Sequence, residues 1–160
     1  MIDGEGFLAA LAAAGRTADG ASVVIFGGGG VGLALLLALV RAGAKTIAMH
    51  EPREDRRQAL RRVAMRCGAS HSLSLDAKAA LPSADIAINA TPLGMLPADA
   101  LPFDPRQLKK GAHVADVVTS PETTPLLREA LACGLSIQTG RAMAEAQMPL
   151  QIAYFGLDKT

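Results

Sequence analysis

The residues with the clearest chemical pattern are glycines near the start of the chain. Gly27, Gly29 and Gly32 form a G-x-G-x-x-G pattern within the segment GGGGVG, between a β-branched run and an apolar helical run. Glycines in this frame allow a tight turn, bring backbone N–H groups close to a pyrophosphate and let a helix pack closely against a strand. The positive end of the helix dipole then faces the phosphates. Because both flanking patterns are present, the sequence predicts dinucleotide binding here.

An acidic residue follows at the distance expected for ribose recognition. Glu51 lies 19 residues after Gly32, at the end of the next predicted strand. In dinucleotide-binding folds an acid about twenty residues downstream accepts the ribose hydroxyls of NAD. A carboxylate there would repel the 2′-phosphate of NADP, so NAD is favoured. NADP stays open because Arg53, Arg56 or Arg57 could turn toward a phosphate, although a solvated helix face is the preferred interpretation of these arginines.

The elements that must position these residues alternate along the chain. Strands are predicted at 22–26, 45–50, 73–75, 85–89, 112–118 and 135–139, and helices at 7–14, 33–41, 53–67, 125–133 and from about 141 onward. Strands that alternate with helices favour a parallel sheet covered on both faces. The expected fold class is α/β, a doubly wound, mostly parallel sheet of about six strands with helices on both faces, in one domain over residues 1–160.

Two further acids are predicted to have capping roles. Asp3 begins the segment DGEG, which predicts a turn over residues 3–6 that feeds a helix from Phe7. A carboxylate in a turn ahead of a helix usually accepts hydrogen bonds from the first helical amides. Asp116 lies between apolar neighbours on a predicted strand and is interpreted as a buried capping acid.

Composition and charge exclude several classes of protein. Half of the 160 residues are hydrophobic, but the chain has one Tyr, four Phe and no Trp, so the core must be aliphatic. A formal charge of +1 gives no electrostatic footprint for nucleic acid or an anionic membrane. The most apolar run, residues 31–40, is shorter than the about twenty residues that span a bilayer. We expect a cytoplasmic protein without nucleic-acid or membrane partners.

The metal-binding residue types are scattered. Cys67 and Cys133 each precede a glycine and have no CxxC partner, so a zinc site is not expected and a reducing compartment is favoured. The spacing of His50, His71 and His113 does not make a metal site either. Surface or strand-edge positions are predicted for these histidines.

The segment INATPLGM, residues 88–95, resembles the N-A-T-x-x-G-M loop of the shikimate/quinate dehydrogenase family. Four other segments are similar to family motifs in the same order along nearly the whole chain: DGEGF, GGGGVG, VADVVTSPETTPLLREALACG and GRAMAEAQ. Another two-domain dehydrogenase, such as methylenetetrahydrofolate dehydrogenase, would leave the last two unexplained. The resemblance implies a Rossmann cofactor domain, with residues 1–20 as a hinge segment and linking helix.

The resemblance also implies roles for individual residues. Asp3 corresponds to the catalytic aspartate of a Lys–Asp pair beside the hydroxyl that is oxidised. Gln147 and Thr119 correspond to substrate-binding positions, and Thr119 replaces a tyrosine, which leaves quinate or another polyol acid open beside shikimate. The expected cofactor-binding residues are Gly27, Gly28, Gly29, Gly30, Val31, Gly32, Glu51, Asn89, Thr91, Pro92, Val118, Gly140 and Met143.

The implied activity is hydride transfer between NAD or NADP and a ring hydroxyl or ketone of a shikimate-like acid. In the family an N-terminal substrate domain completes the cleft and carries the lysine. We therefore expect Met1 to be an internal methionine of a longer enzyme, the chain alone to be inactive, and its apolar cleft surface to favour a homodimer. The alternative is a stand-alone dinucleotide-binding or regulatory module without catalysis.

Overall fold

The computed structural model describes residues 2–68 and 73–156. The helices are α1 (Ile2–Ala13), α2 (Gly30–Arg41), α3 (Glu54–Arg66), α4 (Ala77–Ala80), α5 (Pro125–Ala132) and α6 (Gly140–Tyr154). The strands are β1 (Ser22–Phe26), β2 (Thr46–His50), β3 (Leu73–Ser74), β4 (Ile86–Asn89), β5 (His113–Asp116) and β6 (Ser136–Gln138). Short 3-10 turns occupy Leu81–Ser83 and Pro105–Gln107.

The strands form one sheet in the order β3-β2-β1-β4-β5-β6. Each neighbouring pair is parallel, so the predicted doubly wound α/β fold is confirmed and its sheet is parallel throughout the described residues. The chain moves outward from β1 to β3 and then returns to the other side of β1. Ligands of such sheets bind where the strand order reverses, outside the carboxyl ends of the strands. Here that crevice lies between β1 and β4.

Successive side chains of a strand point to opposite faces of the sheet, and helices cover both faces here, so both sets of side chains are buried. On β1, Val23 and Ile25 pack in one apolar layer with residues of α1, α2 and α6. Val24 and Phe26 pack in a second layer with residues of α4 and α5. This two-sided burial explains why the strands are nearly continuous apolar runs in the sequence.

The amino-terminal helix begins earlier than predicted. The turn expected over residues 3–6 is wrong, because α1 already begins at Ile2. Gly4 serves helix packing instead of a turn, since a Cβ added there would lie 2.5 Å from the Ala38 Cβ and 2.7 Å from the Ala34 carbonyl oxygen of α2. The poor helix propensity of glycine is thus offset by the close approach of two helices.

His113 also differs from prediction. It is fully buried on β5, an inner strand between β4 and β6, whereas a surface or edge position was expected. Its Nδ1 lies 2.9 Å from the Ser136 hydroxyl, which accepts a 2.8 Å hydrogen bond from the Arg16 guanidinium. Burial, aided by the positive charge of Arg16, lowers the pKa of His113 to about 4. His50 is half-buried at the end of β2, and His71 lies outside the described residues.

The last helix and the two cysteines are in settings that need no special explanation. α6 continues through Pro149 to Tyr154, and both Cys67 and Cys133 are exposed free thiols. Among residues 2–68 and 73–156, no cluster of three His, Cys, Asp or Glu side chains could hold a metal ion. No helix in that part of the chain is long and apolar enough to cross a membrane.

Candidate functional site

The glycine loop lies at the point where the strand order reverses. Gly27 follows β1 with φ of 109°, a left-handed conformation that favours glycine. A Cβ there would lie 2.5 Å from the carbonyl oxygen of Ala90, the first residue after β4. A Cβ at Gly32 would collide with the carbonyl oxygen of Gly27. These glycines let the loop contact β4 and let α2 contact the loop.

The middle of the loop is open on its outer side. A Cβ at Gly30 would meet nothing within 4 Å, and one at Gly29 would meet only an Arg56 side-chain nitrogen at 3.8 Å. Gly29 is the N-cap of α2, and no side-chain hydrogen bond caps the helix. Val31 follows, half-buried in the first turn. A free helix N-terminus behind an open glycine loop fits the pyrophosphate of a dinucleotide.

Glu51 supports the glycine loop directly. Its side chain is buried, and its two carboxylate oxygens accept 2.9 Å hydrogen bonds from the amides of Gly28 and Arg53. Burial alone would raise the pKa of this carboxyl, but the two amides and the nearby Arg56 outweigh burial and lower it. Glu51 is therefore ionised at neutral pH and holds the second glycine of the loop. This support could not be inferred from its spacing in the sequence.

The three arginines near Glu51 differ in their contacts. Arg53 and Arg57 pair with acidic side chains in the first turn of α3. Arg53 is exposed as predicted, whereas Arg57 is half-buried and donates a 3.2 Å hydrogen bond to the Glu51 carbonyl oxygen. The Arg56 guanidinium lies 3.6 Å from a Glu51 carboxylate oxygen. Arg56 is therefore the arginine whose guanidinium lies beside both the Glu51 carboxylate and the open side of the glycine loop.

The loop after β4 is organised by Asn89. This side chain is fully buried, and its carbonyl oxygen accepts hydrogen bonds from the amide and hydroxyl of Thr91, at 3.0 Å and 2.6 Å. Its amide group donates to the Leu93 carbonyl and to Asp116, at 2.9 Å and 3.0 Å. Thr91 is half-buried and Pro92 is exposed, so these two residues form the outer surface of the loop.

Asp116 is buried at the end of β5, as predicted, and supports an adjacent helix cap. It accepts hydrogen bonds from the side chains of Asn89 and Thr124 and from the Val118 amide. Burial raises the pKa of Asp116, although these three hydrogen bonds act in the opposite direction. Thr124 in turn caps α5 by accepting from the Leu127 amide.

The loop after β5 packs tightly against the start of α6. A Cβ at Gly140 would lie 2.5 Å from the Val117 carbonyl oxygen, so only glycine permits this contact. Val118 and Met143 are buried, whereas Thr119 is exposed beyond them.

The predicted catalytic and substrate-binding residues of α1 and α6 lie together. Gln147 donates a 3.2 Å hydrogen bond from its amide group to the Asp3 carboxylate, and both side chains are half-buried. Gly6 makes this possible, since a Cβ there would collide with the Gln147 side chain and lie 3.2 Å from the Met143 carbonyl oxygen. Residues 144 positions apart thus form one polar pair.

The chain resembles shikimate and quinate dehydrogenases both in sequence and in structure. The chain is 36% identical over 160 residues to the shikimate dehydrogenase (NADP(+)) of Rubrobacter xylanophilus, an alignment that covers 98% of this chain and 56% of that protein. It superposes with a TM-score of 0.79 on the quinate dehydrogenase from Corynebacterium glutamicum in complex with NAD, at 34% identity, covering 91% of this chain and 53% of the other. Over nearly its whole length the chain is similar to about half of each of these dehydrogenases.

The chain also resembles an enzyme with a different activity. The 5-ketofructose reductase of Gluconobacter sp. superposes with a TM-score of 0.80 at 28% identity, covering 94% of this chain and 55% of that one. No protein-family model matches the chain. The chain spans about half the length of the relatives it matches. The predicted family resemblance is confirmed, and the relatives' names include both NADP and NAD.

Proposed function

We propose that this chain is the cofactor-binding half of a dehydrogenase that transfers hydride between NAD(P) and a ring hydroxyl or ketone of a shikimate-like acid. The observation that carries the proposal is the glycine loop at the strand-order reversal, with an open outer side and an uncapped helix N-terminus behind it. The quinate dehydrogenase it resembles over 91% of this chain was solved with NAD. NAD is the proposed cofactor, with NADP the alternative.

A bound nicotinamide dinucleotide would supply the hydride donor or acceptor. Residues 27–32 would hold its pyrophosphate, and Glu51 would accept a ribose hydroxyl in addition to its loop contacts. Asn89, Thr91 and Pro92 would border the nicotinamide ribose. Val118, Gly140 and Met143 would form the apolar wall beside the ring, where burial keeps water away.

Alcohol oxidation also requires a group that takes up a proton. Asp3 is proposed for this role, and its hydrogen bond to Gln147 fixes one carboxylate oxygen and leaves the other for a proton or a cation. Gln147 and Thr119 would contact the substrate. The cationic partner of Asp3 is proposed to lie in a substrate domain on a longer chain.

The first test is calorimetric titration of the chain with NAD⁺ and, separately, with NADP⁺. We expect NAD⁺ to bind more tightly than NADP⁺. In Glu51→Ala we expect the ratio of the two affinities to fall about tenfold or more, because the variant removes a carboxylate that repels a 2′-phosphate and leaves Arg56 without its partner. Glu54→Ala is the matched control, since it removes the same charge from an exposed position on α3.

Each alternative outcome has a distinct meaning. An unchanged NAD⁺/NADP⁺ ratio in Glu51→Ala would show that Glu51 does not face the ribose. Binding of neither dinucleotide by the wild-type chain would contradict the proposed cofactor site.

A second test concerns turnover by the chain alone. We expect negligible oxidation of shikimate or quinate in a spectrophotometric assay that follows formation of the reduced nicotinamide, because Asp3 would lack its cationic partner. Dinucleotide binding by the same preparation is the control for a folded domain. Robust turnover would contradict the proposal that a second domain completes the site.

A further inference from the structure

Asp116 occupies a special position at the carboxyl edge of the sheet. It pairs in register with Asn89 as the last residue pair between β4 and β5. The two side chains lie on the same face, and both are buried, at 2% and 0% exposure. Polar side chains buried at this depth are retained only where hydrogen bonds compensate their loss of water.

In the described residues the Asp116 carboxylate accepts three hydrogen bonds. One oxygen accepts from the Asn89 side-chain amide and from the Val118 backbone amide, both at 3.0 Å. The other oxygen accepts from the Thr124 hydroxyl at 2.7 Å. A carboxylate is the side chain that can serve three donors as an acceptor alone.

These partners extend the network into two loops. Asn89 fixes Thr91 and Leu93 of the loop after β4. On the other side, a Cβ added at Gly94 would lie 3.3 Å from the Thr124 Cβ, so the tip of that loop passes close to the helix cap that Asp116 supports. Val118, held through its amide, belongs to the loop after β5. A single side chain therefore connects the loop after β4 to the loop after β5.

We propose that Asp116 is a positioning residue that sets the separation of the loops after β4 and β5, and through them the width of the nicotinamide end of the site. This inference rests on the proposed function, which places Thr91 and Val118 beside the nicotinamide half. The pyrophosphate and adenosine half would be held instead by the glycine loop and Glu51. In the described residues Asp116 makes no hydrogen bond to either of them, and the network approaches the glycine loop only through Thr91, whose methyl group lies 3.0 Å from the Cβ position of Gly27.

The test compares a ligand that reaches both ends of the site with one that reaches a single end. In Asp116→Ala we expect the calorimetric affinity for NAD⁺ to fall about tenfold or more, while the affinity for ADP changes by less than about twofold. Asp116→Asn keeps the shape and one acceptor oxygen, so its loss should be smaller. Equal losses for NAD⁺ and ADP, or no loss for either, would overturn the proposal.

The matched control is Asp85→Asn, at the opposite end of β4. Asp85 accepts a hydrogen bond from the Ser22 amide and pairs with Lys109, so its variant perturbs the sheet without touching either loop. Amide hydrogen exchange supplies a readout that needs no cofactor. We expect the Leu93 and Val118 amides to exchange faster in Asp116→Ala than in Asp85→Asn, and equal rates would overturn the proposal. If wild type bound neither ligand, the proposed function would fail and exchange alone would decide the role of Asp116.

Discussion

Alanine at Gly32 is expected to destabilise the fold, whereas alanine at Gly30 should leave it intact and weaken dinucleotide binding. A Cβ at Gly32 would collide with the Gly27 carbonyl oxygen and lie 3.0 Å from its carbon, and neither backbone atom can move without displacing β1. Overpacking of this kind costs about 3 kcal/mol. At Gly30, the first residue of α2, nothing lies within 4 Å of the added Cβ, so alanine fits without a clash.

Urea unfolding and calorimetry with NAD⁺ separate the two effects. We expect Gly32→Ala to lose stability and binding together, because the loop cannot keep its shape. Gly30→Ala should match or exceed wild type in its free energy of unfolding but bind NAD⁺ more weakly, since the new methyl group occupies the space proposed for the pyrophosphate. A stable Gly32→Ala would contradict the packing argument, and full NAD⁺ affinity in Gly30→Ala would contradict the proposed phosphate position.

The sequence predicted the fold better than its helix boundaries. The strand at 22–26 is β1 itself, because a β-branched run between glycines leaves few alternatives. The start of α1 was wrong because local propensity assigns glycines to turns, whereas Gly4 and Gly6 are selected by contacts with α2 and α6. Helix α4 was missed because its four residues are too short to show a period.

The site could be predicted in outline but not in its connections. Spacing located Glu51, but its hydrogen bond to Gly28 depends on the distance between β1 and β2 in the folded sheet. The Asp3–Gln147 pair joins opposite ends of the chain, and only the family resemblance suggested that both belong to one site. The Thr124 cap had a local signal, a threonine before a proline at the first helical position. The hydrogen bond from Thr124 to Asp116 had no such signal in the sequence.

His113 should make the stability of the domain depend on pH. Its pKa is about 4 in the folded chain, against an ordinary value of 6.5. Because the folded state holds a neutral ring while the unfolded state binds a proton, the free energy of unfolding should fall as pH decreases from about 6.5 toward 4. The difference of the two pKa values corresponds to about 3 kcal/mol at pH 4. Burial is the main cause, and the Arg16 charge adds to it.

The environment of the His113 ring disfavours a second proton. His113 Nδ1 faces the Ser136 hydroxyl, whose oxygen already accepts from Arg16, and both the His113 Nε2 and the Gln138 carbonyl oxygen are buried without a hydrogen-bond partner in the described structure. Burial, followed by the positive charge of Arg16, disfavours a second proton on the ring, whereas the Gln138 side chain acts in the opposite direction. The neutral ring connects β5 to β6, and protonation should weaken this connection.

Urea unfolding of wild type, His113→Gln and His50→Gln between pH 4 and 7 tests this explanation. We expect His113→Gln to lose most of the pH dependence in this window, because an amide at this position does not titrate. His50→Gln, at the half-buried end of β2, should keep the wild-type slope. The raised pKa of Asp116 acts in the opposite direction, since an acid that ionises late stabilises the fold as pH falls, but it is common to all three proteins and cancels in their differences. Equal slopes in wild type and His113→Gln would show that the acid sensitivity of the domain originates elsewhere.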